Sequence, residues 1–418
     1  MDTEQVEGRG EGSEHGRLVG RLARGEALVA GVLSGTSADG IDVALLRPRP
    51  TGDGRLAARP VAFGAVPFED ELAARLRRLL DDPDARVGLG ELARLDRDLG
   101  LAFGRAARAV AEEHAPGELA LVGSHGQTLW HHDGARDGEL GATLQLGDGD
   151  FVAEAAGCAA VCDLRRRDLA VGGEGAPLLA GIDPWLFDVA EGERLGVLNL
   201  GGYGNLTLMH GARVVGNLDT GPAGALLDGL ARLLLDAPMD PGGTTALSGA
   251  VDDALLDTWL AQPGHGDAPA LASFVAAPPP RSTGRDTYGE PWVRALLGHA
   301  GDRTSPDLLA SGCALVARCV AATLELADLT PHRPGVLLLA GGGLHNRALV
   351  RALEAALPGV AIAPASDRGV DPDAREALGF GLLAAAHLLE LPLDREPPFP
   401  TGALRPTLLG KLSPAPTT

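Results

Sequence analysis

The chain has 418 residues, enough for two or three domains at about 150 residues each. Its 45% apolar and 22% charged residues are typical of a globular protein, whereas its 59 glycines are about twice the average usage and imply many tight turns or ligand contacts with the backbone. The net charge of -20 argues against nucleic acid as a partner, because phosphate binding on that scale needs a basic surface.

The cysteines and the apolar pattern indicate the cellular compartment of the protein. Cys158, Cys162, Cys313 and Cys319 lack the spacing of a zinc site with histidine and are interpreted as buried, reduced thiols. The sequence has no secretory signal and no obvious apolar run of about 18 residues. A cytoplasmic protein without a membrane span is therefore expected.

The first 26 residues mix Glu, Gly and Arg without apolar periodicity, which predicts a disordered extension. Folded structure is expected to begin near Ala27.

The first folded stretch predicts a hairpin with an anion-binding tip. Residues 27–46 carry two short apolar runs on either side of a loop of Gly, Ser, Thr and Asp. Gly35 and Gly40 allow close backbone approach, and loop amides and hydroxyls can bind phosphate oxygens. Asp39 and Asp42 can hold Mg²⁺ directly or through water. A plain glycine-rich turn is the alternative for this stretch alone.

Two helices, over 69–80 and 89–114, are predicted next, followed by a short strand at 119–123. This strand leads into the polar run 124–128, and polar groups just past a strand's carboxyl end are where α/β proteins place ligands. A strand and turn at 143–148 and a helix over 151–157 follow.

A second chemically dense region follows the strand predicted at 159–162. It contains the charged run 163–168 and the glycine-rich run 172–178, with a helix start near Pro177. A charge run is usually a solvated face, but its position between a strand and a helix start favours an anion site here.

The opening pattern returns about 165 residues later. Apolar runs at 195–200 and 205–210 predict two strands around the turn that contains Gly201 and Gly202. Two such hairpins, each opening a series of strands and helices, predict a duplicated fold with the turns facing each other across a cleft.

An aspartate follows the next predicted strand. Residues 214–218 lead into Asp219, and a Leu-rich helix is predicted over 225–235. Asp219 is therefore either a helix cap or a reactive carboxylate at a strand end.

Two further motifs lie near the C-terminus. A buried strand at 336–340 leads into the glycines 341–343, which offer a flat surface for a base or a ribose. Glu376 begins a helix over 374–389 that is apolar on nearly all sides, so it is interpreted as a dipole partner or a ligand.

In chain order these motifs resemble the anhydro-N-acetylmuramic acid kinases, a family in the superfamily of actin, hexokinase and Hsp70. The resemblance implies an α/β fold of two actin-like or hexokinase-like (ribonuclease H-like) domains around a central cleft. Chance agreement of this many ordered blocks is very improbable. The matching blocks are 33–42, 123–128, 163–178, 198–207, 219–222, 282–286, 340–346 and 376–380.

The resemblance implies a kinase that opens 1,6-anhydro-N-acetylmuramic acid with water and phosphorylates O6, giving N-acetylmuramic acid 6-phosphate in peptidoglycan recycling. It implies ATP and Mg²⁺ as cofactors, a small amino sugar as substrate, no nucleic-acid or membrane partner, and a homodimer. Asp219 matches the catalytic base, and Glu376 matches a carboxylate at the phosphate and metal end, with Asp39 reaching the metal through water. The residues that would bind ATP are Gly35, Thr36, Ser37, Ala38, Asp39, Gly40, Ile41, Asp42, Gly201, Gly202, Gly341, Gly342 and Gly343. The residues that would bind the sugar are Ser124, His125, Gly126, Gln127, Thr128, Asp163, Arg166 and Arg167.

Three positions depart from the family pattern. Glu174 stands where Gln is common, Arg281 where Lys usually precedes Ser-Thr-Gly, and Ala223-Gly224 where Gly-Asn is usual. Glu174 adds a negative charge near the expected sugar site. This departure therefore concerns the sugar specificity that the resemblance implies, rather than the use of a nucleotide.

We expect residues 1–26 to be an extension, 27–168 with 395–418 to form domain 1, and 169–394 to form domain 2. A nucleotide-gated switch or binding protein on the same fold is one alternative, and a kinase for a different small sugar is another. A switch has no need of Asp219 or of the arginine-rich run. Sugar-dependent release of ADP distinguishes the kinase from the switch.

Overall fold

The computed structural model describes residues 13–35, 38, 40–52, 54–80, 85–132, 141–176, 178–279, 281–393 and 401–417. The chain forms two compact units: unit 1 comprises Met1–Leu186 with Ala374–Thr418, and unit 2 comprises Phe187–Asp373. The chain therefore leaves unit 1 once and returns to it once.

The helices and strands follow in chain order. The first part of unit 1 contains α1 (Glu14–Ala23), β1 (Leu28–Ser34), β2 (Gly40–Pro50), β3 (Leu56–Pro67), α2 (Asp70–Leu80), α3 (Leu89–His114), β4 (Leu119–His132), β5 (Ala142–Leu146), α4 (Gly149–Ala156), β6 (Ala159–Cys162), α5 (Arg166–Leu169) and α6 (Leu179–Leu186). Unit 2 contains β7 (Arg194–Leu200), β8 (Tyr203–His210), β9 (Arg213–Pro222), α7 (Gly224–Leu235), α8 (Asp253–Ala261), α9 (Leu271–Ala276), α10 (Arg285–Tyr288), α11 (Glu290–Leu297), α12 (Ser305–Leu324), β10 (Val336–Ala340), α13 (Arg347–Ala356) and β11 (Ala361–Pro364). The return to unit 1 contains α14 (Arg375–Leu388) and β12 (Lys411–Ser413). Short 3₁₀ turns lie at Pro241–Gly243, Ala246–Ser248, Thr330–His332, Gly342–His345 and Ala365–Arg368.

The two units repeat one sheet topology. In unit 1, β1, β2 and β3 form an antiparallel meander, and β4 and β6 add in parallel on the other side of β1. In unit 2, β7, β8 and β9 form the same meander, and β10 and β11 add in parallel beside β7. The orders are β3-β2-β1-β4-β6 and β9-β8-β7-β10-β11, with β5 paired to β4 and β12 at the edge beside β6. This repeat is the ribonuclease H-like arrangement, and it confirms the predicted duplicated α/β fold.

Each sheet is covered by helices whose apolar stripes face it. In unit 1, α2, α3 and α4 pack on one face, where Leu99 and Phe103 are fully buried. In unit 2, the core between the sheet and helices α7, α8, α11, α12 and α13 contains the buried indoles of Trp259 and Trp292. Thr304 is the N-cap residue of helix α12, because its Oγ1 accepts the amide N–H of Asp307.

Helix α14 lies on the other face of the unit 1 sheet at unusually close range. A Cβ atom at Gly31 of β1 would lie 1.7 Å from the carbonyl oxygen of Ala377, and one at Gly123 of β4 would lie 2.2 Å from that of Phe380. Only glycine permits such an approach of two backbones. These contacts fix the place of α14 on the sheet and, with it, the place of Glu376.

A buried ion pair also fixes α14. Arg375 donates to Asp183 of α6 through Nε (2.9 Å) and Nη2 (2.5 Å). The two side chains are 4% and 0% exposed. Loss of either partner would leave a charge buried without its counter-charge.

The predicted N-terminal extension is only partly correct. Residues 14–23 form α1, which begins at Ser13, whose Oγ accepts the amide N–H of Gly16. Leu22 of this helix is fully buried, so the prediction of disorder is wrong for residues 14–23. Residues 1–12 lie outside the described residues.

Some predicted boundaries also differ from the structure. The chain passes between units at 186/187 and 373/374 rather than at the predicted 168/169 and 394/395, so α6 and α14 belong to unit 1. Strand β4 continues through the polar run 124–128, which was predicted to lie beyond a strand. Strand β3 was not predicted. Its residues do not alternate regularly between buried and exposed positions, so its sequence lacks the period-two apolar pattern of a strand.

One helix among the described residues, α12, is long and apolar enough to span a membrane. Its most apolar window is 72% buried inside the protein, which is typical of a core helix. The sequence-based expectation that no such run exists is therefore wrong for α12.

Candidate functional site

In unit 2, Asp219 is held with a defined orientation. It lies within β9, opposite Asn205 of β8. Asn205 Nδ2 donates to Asp219 Oδ1 (3.0 Å), and the amide N–H of Thr283 donates to Oδ2 (2.9 Å). The residue remains partly exposed. A carboxylate held by two donors and open on one side is suited to accept a proton.

The electrostatic surroundings of Asp219 support the same role. Burial raises the pKa of Asp219, whereas the hydrogen bonds from Asn205 and Thr283 and the positive charge of Arg281 oppose that rise. The N-cap position of α7 is Ala223, so the alternative of a helix-capping aspartate is excluded. Asn205 and Thr283 were missing from the predicted site residues, although both lie in sequence blocks that carried the resemblance.

Arg281 forms hydrogen bonds with the backbone of Asp219. Its Nε donates to the carbonyl oxygen of Asp219 (2.8 Å), and its own carbonyl accepts the Asp219 amide N–H (3.3 Å). Its guanidinium also lies 5.3 Å from the centre of the Phe274 ring. The remaining acceptors are Val275 O, Ala277 O and Thr323 Oγ1. Arg281 thereby joins β9 to the end of α9 and to α12, and it holds the segment that presents the Thr283 amide.

The turn at Gly201 and Gly202 packs on the start of α7. The Gly201 carbonyl accepts the amide N–H of Gly224 (2.9 Å), and the Gly202 carbonyl accepts that of Ala225 (2.9 Å). A Cβ atom at Gly224 would lie 2.8 Å from the Gly201 carbonyl oxygen, so a larger residue here would require a shift of the turn. The Gly224 and Ala225 amides are thus already used as donors to the turn, which leaves the amides of the turn itself as the candidates for the predicted phosphate contact.

The three consecutive glycines have different surroundings. Gly341 has a φ of +76°, and a Cβ atom on it would lie 2.6 Å from Asn199 Oδ1. A Cβ atom on Gly343 would lie 2.6 Å from Leu200 Cβ. Gly342 is exposed and has no neighbour within 4 Å of its Cβ position. Gly341 and Gly343 thus seat the run against the end of β7, and Gly342 presents the open surface.

In unit 1, the first hairpin has the predicted strands, but its tip is only partly described. Thr36, Ser37 and Asp39 lie outside the described residues, so their predicted roles remain predictions. The carbonyl of Gly35 accepts the amide N–H of Ala38 (3.2 Å) and the side-chain N–H of Gln127 (3.3 Å).

Three further residues of this hairpin differ in burial. The side chain of Ile41 is 2% exposed and belongs to the hydrophobic core, and the predicted role of Ile41 in ATP binding stays a prediction. Gly40 and Asp42 are partly exposed, at the start of β2. Asp42 therefore remains a candidate for the phosphate and metal end.

The polar run of β4 points mostly into the protein. Ser124, His125 and Gln127 are buried, and Gly126 has a φ of +76° with its Cβ position 2.5 Å from the Leu146 carbonyl oxygen. Thr128 is partly exposed, and its hydroxyl accepts from Gln145 Nε2 (3.2 Å). The structure therefore does not support direct sugar contact by these three buried side chains. They are buried because β4 continues through this run.

The side chain of Arg165, a member of the predicted charged run 163–168, lies beside this part of β4. Arg165 Nε donates to His125 Nε2 (2.8 Å), and Arg165 Nη1 donates to the carbonyl of Gly175 (2.8 Å). The predicted Arg166 and Arg167 are exposed on α5. Which of three adjacent arginines turns inward depends on where α5 begins, and that start was not evident from the sequence.

The segment 163–175 is held by two carboxylates. Asp163 has a φ of +54°, and it pairs with Arg166 (3.3 Å) and Lys411 (2.5 Å). Asp168 accepts from the amide of Gly175 (2.8 Å) and from Thr401 Oγ1 (2.7 Å). Burial raises the pKa of Asp168, and these two hydrogen bonds oppose the rise. Asp168 therefore shapes the glycine-rich loop, a role that the sequence did not reveal.

Glu376 is the described residue of α14 that was predicted to lie at the metal end of the site. Glu376 is partly exposed near the start of α14, and its charge raises the pKa of Arg165 against the effect of burial. Within the described residues, no cluster of three or more His, Cys, Asp or Glu side chains is placed to hold a metal.

Comparison with known proteins gives one consistent family. The family described as anhydro-N-acetylmuramic acid kinase matches residues 27–415. A protein of that name from Xanthomonas campestris pv. campestris (strain 8004) is 39% identical over 390 residues, which cover 93% of this chain and 97% of the relative. Another of that name, from Gloeobacter violaceus (strain ATCC 29082 / PCC 7421), is 36% identical over 393 residues, covering 93% of this chain and 99% of the relative. A solved ROK hexokinase from Thermus thermophilus is 17% identical and covers 87% of this chain and 99% of its own, but its TM-score of 0.37 is too low to support a conclusion.

Proposed function

The chain belongs to the anhydro-N-acetylmuramic acid kinase family, and we propose that it is an ATP-dependent kinase that hydrolytically opens 1,6-anhydro-N-acetylmuramic acid and phosphorylates its O6. The product is N-acetylmuramic acid 6-phosphate, an intermediate of peptidoglycan recycling. The observation that carries the chemistry is the Asp219 carboxylate, oriented by Asn205 and by the Thr283 amide and open on one side.

Asp219 is the proton acceptor of the reaction. A water oxygen forms a bond to C1 of the sugar while the bond from C1 to O6 breaks, and Asp219 takes the water's proton. O6 then forms a bond to the γ-phosphorus, and the bond from that phosphorus to the leaving oxygen of ADP breaks. A positioned base contributes about 10² to 10⁴-fold to such a step.

The glycine-lined segments are assigned to the nucleotide. The amides of the turns at Gly35 and at Gly201 and Gly202 are assigned to phosphate oxygens, because the backbone N–H groups of glycine-rich turns suit anions. Gly342 offers a flat, open surface for the nucleoside. Thr36, Ser37 and Asp39, which lie outside the described residues, retain their predicted place at the same phosphates.

Mg²⁺, when bound with ATP, would supply positive charge that neutralises the phosphates. Asp42 and Glu376 are the described carboxylates assigned to its hydration shell, together with the predicted Asp39. The protein's own contribution is to orient the phosphates and to exclude bulk water.

We assign the protein to the cytoplasm as a homodimer that acts on a small amino sugar, without a nucleic-acid or membrane partner. The acidic surface implied by the charge of -20 fits the absence of a nucleic-acid partner.

The test is to incubate the protein with ATP, Mg²⁺ and either the anhydro sugar or no sugar, and to measure ADP. Release of ADP that requires the anhydro sugar supports the kinase. Release that is independent of any sugar indicates a nucleotide-gated switch and contradicts the proposal. A panel of other small sugars measures specificity, and a faster reaction with one of them would redirect the substrate assignment.

A further inference from the structure

Arg165 is a partly buried cation whose direct partners are neutral. Its two hydrogen-bond acceptors are His125 Nε2 and the Gly175 carbonyl, each at 2.8 Å. Burial lowers the pKa of Arg165 to about 10, so it is still charged at neutral pH. Two other arginines of unit 1 differ, because Arg166 pairs with Asp163 and Arg375 pairs with Asp183.

The charges of two nearby acids act on Arg165. Glu376 and Asp168 raise the pKa of Arg165 through their charge, whereas the acceptors of its guanidinium among the described residues are His125 Nε2 and the Gly175 carbonyl. The Asp168 oxygens accept instead from the Gly175 amide and the Thr401 hydroxyl. A guanidinium has five N–H donors, and three of those of Arg165 have no acceptor among the residues that the structure describes.

His125 fixes the direction of this guanidinium. Since His125 Nε2 accepts the Arg165 Nε–H, the ring proton is on Nδ1, which donates to the Gly126 carbonyl (3.1 Å). The ring packs against Phe380 with centres 4.6 Å apart. Burial and the charge of Arg165 lower the pKa of His125 to about 3. His125 is therefore a neutral acceptor across the physiological pH range, with neither ring nitrogen left for a substrate.

We infer that Arg165 binds the carboxylate of an acidic sugar and that His125 is a positioning residue that acts through it. The inference rests on the proposed function, because the lactyl carboxylate is the ionised group of anhydro-N-acetylmuramic acid. A planar guanidinium matches the two oxygens of a carboxylate, and a phosphoryl group presents similar oxygens. The site thus selects a sugar acid over an uncharged anhydro sugar.

The experiment measures calorimetric affinities for two ligands that differ in this carboxylate: 1,6-anhydro-N-acetylmuramic acid and 1,6-anhydro-N-acetylglucosamine. Four variants are compared with the wild type. Arg165→Gln removes the cation, and His125→Phe keeps the ring on Phe380 but removes the acceptor. His125→Gln restores an acceptor, and Arg47→Gln controls for the loss of a partly buried arginine elsewhere in unit 1.

Arg165→Gln is expected to weaken binding of the acid by roughly 10- to 150-fold and to leave the uncharged sugar nearly unaffected. His125→Phe is expected to show a smaller loss of the same selectivity, His125→Gln to recover it, and Arg47→Gln to match the wild type. In turnover, the loss should appear in KM for the sugar rather than in KM for ATP.

Equal losses for both sugars, or no loss for either, would overturn the inference. A loss confined to a non-hydrolysable ATP analogue would show that the anion is the phosphoryl group and would overturn the assignment to the carboxylate. If Arg165→Gln does not fold, the pair of His125 variants decides the question. A wild type that binds neither sugar would instead contradict the proposed function itself.

Discussion

Asp219→Asn is the substitution that most sharply tests the role of the proton acceptor. In the structure both Asp219 oxygens accept from N–H donors, one from Asn205 and one from Thr283. An asparagine side chain has nearly the same size but only one oxygen, so its NH₂ group must face one of these donors. The change removes the base and one charge-assisted hydrogen bond while leaving the backbone in place.

The two effects differ enough in size to be separated. Loss of a general base lowers turnover by about 10² to 10⁴-fold, which corresponds to roughly 2.7 to 5.5 kcal/mol in the barrier. Loss of a hydrogen bond to a charged group costs about 1.5 to 3 kcal/mol of stability and should lower Tm by only several degrees. ATP binding should be nearly unchanged, since Asp219 is assigned to the sugar reaction.

The assay follows sugar-dependent ADP release together with calorimetric ATP binding and thermal unfolding. Asp228→Asn is the matched control, because Asp228 is a half-buried aspartate of the same unit whose pKa is also raised by burial. In the wild type, kcat/KM should fall at acid pH, in a range above that of an ordinary aspartate, because burial raises the pKa of Asp219 and its protonated form cannot accept a proton. Turnover of Asp219→Asn within about threefold of the wild type would refute the role of Asp219 as the base.

Three further substitutions test the surrounding structure. Arg281→Gln removes a charge that opposes the raised pKa of Asp219, so the acid limb of kcat/KM should move to higher pH, and an unmoved limb would show that Arg281 is only a support. Gly31→Ala places a Cβ atom against the backbone of α14 and should cost about 1 to 3 kcal/mol in urea unfolding, whereas an unchanged midpoint would contradict that contact. Arg375→Met removes the buried guanidinium that pairs with Asp183 and should cost about 3 to 5 kcal/mol, and adding Asp183→Leu should recover much of that loss if the ion pair is the cause.

The repeated hairpins and the glycine run were predictable because their signals are local. Apolar runs on both sides of Gly35 and of Gly201 indicated β1 with β2 and β7 with β8, and the structure confirms both antiparallel pairs. Strand β10 and helix α3 have the predicted bounds, since each carries an uninterrupted apolar pattern.

Other features depend on contacts that no local pattern encodes. Thr401 donates to Asp168 across 233 positions of sequence, so the structural role of Asp168 appears only in the fold. Arg165 differs from its exposed neighbours Arg166 and Arg167 only through the start of α5. The burial of His125 follows from the length of β4, which the polar composition of the run concealed.

The most direct test of the account is to run the reaction with ATP, Mg²⁺ and the anhydro sugar in ¹⁸O-labelled water, and to analyse the product by mass spectrometry. The account predicts one ADP for each phosphorylated sugar, with the label on C1 and none in the phosphate, and it predicts loss of this product in Asp219→Asn. ADP formed without the sugar, or label recovered in inorganic phosphate instead of on the sugar, would contradict it.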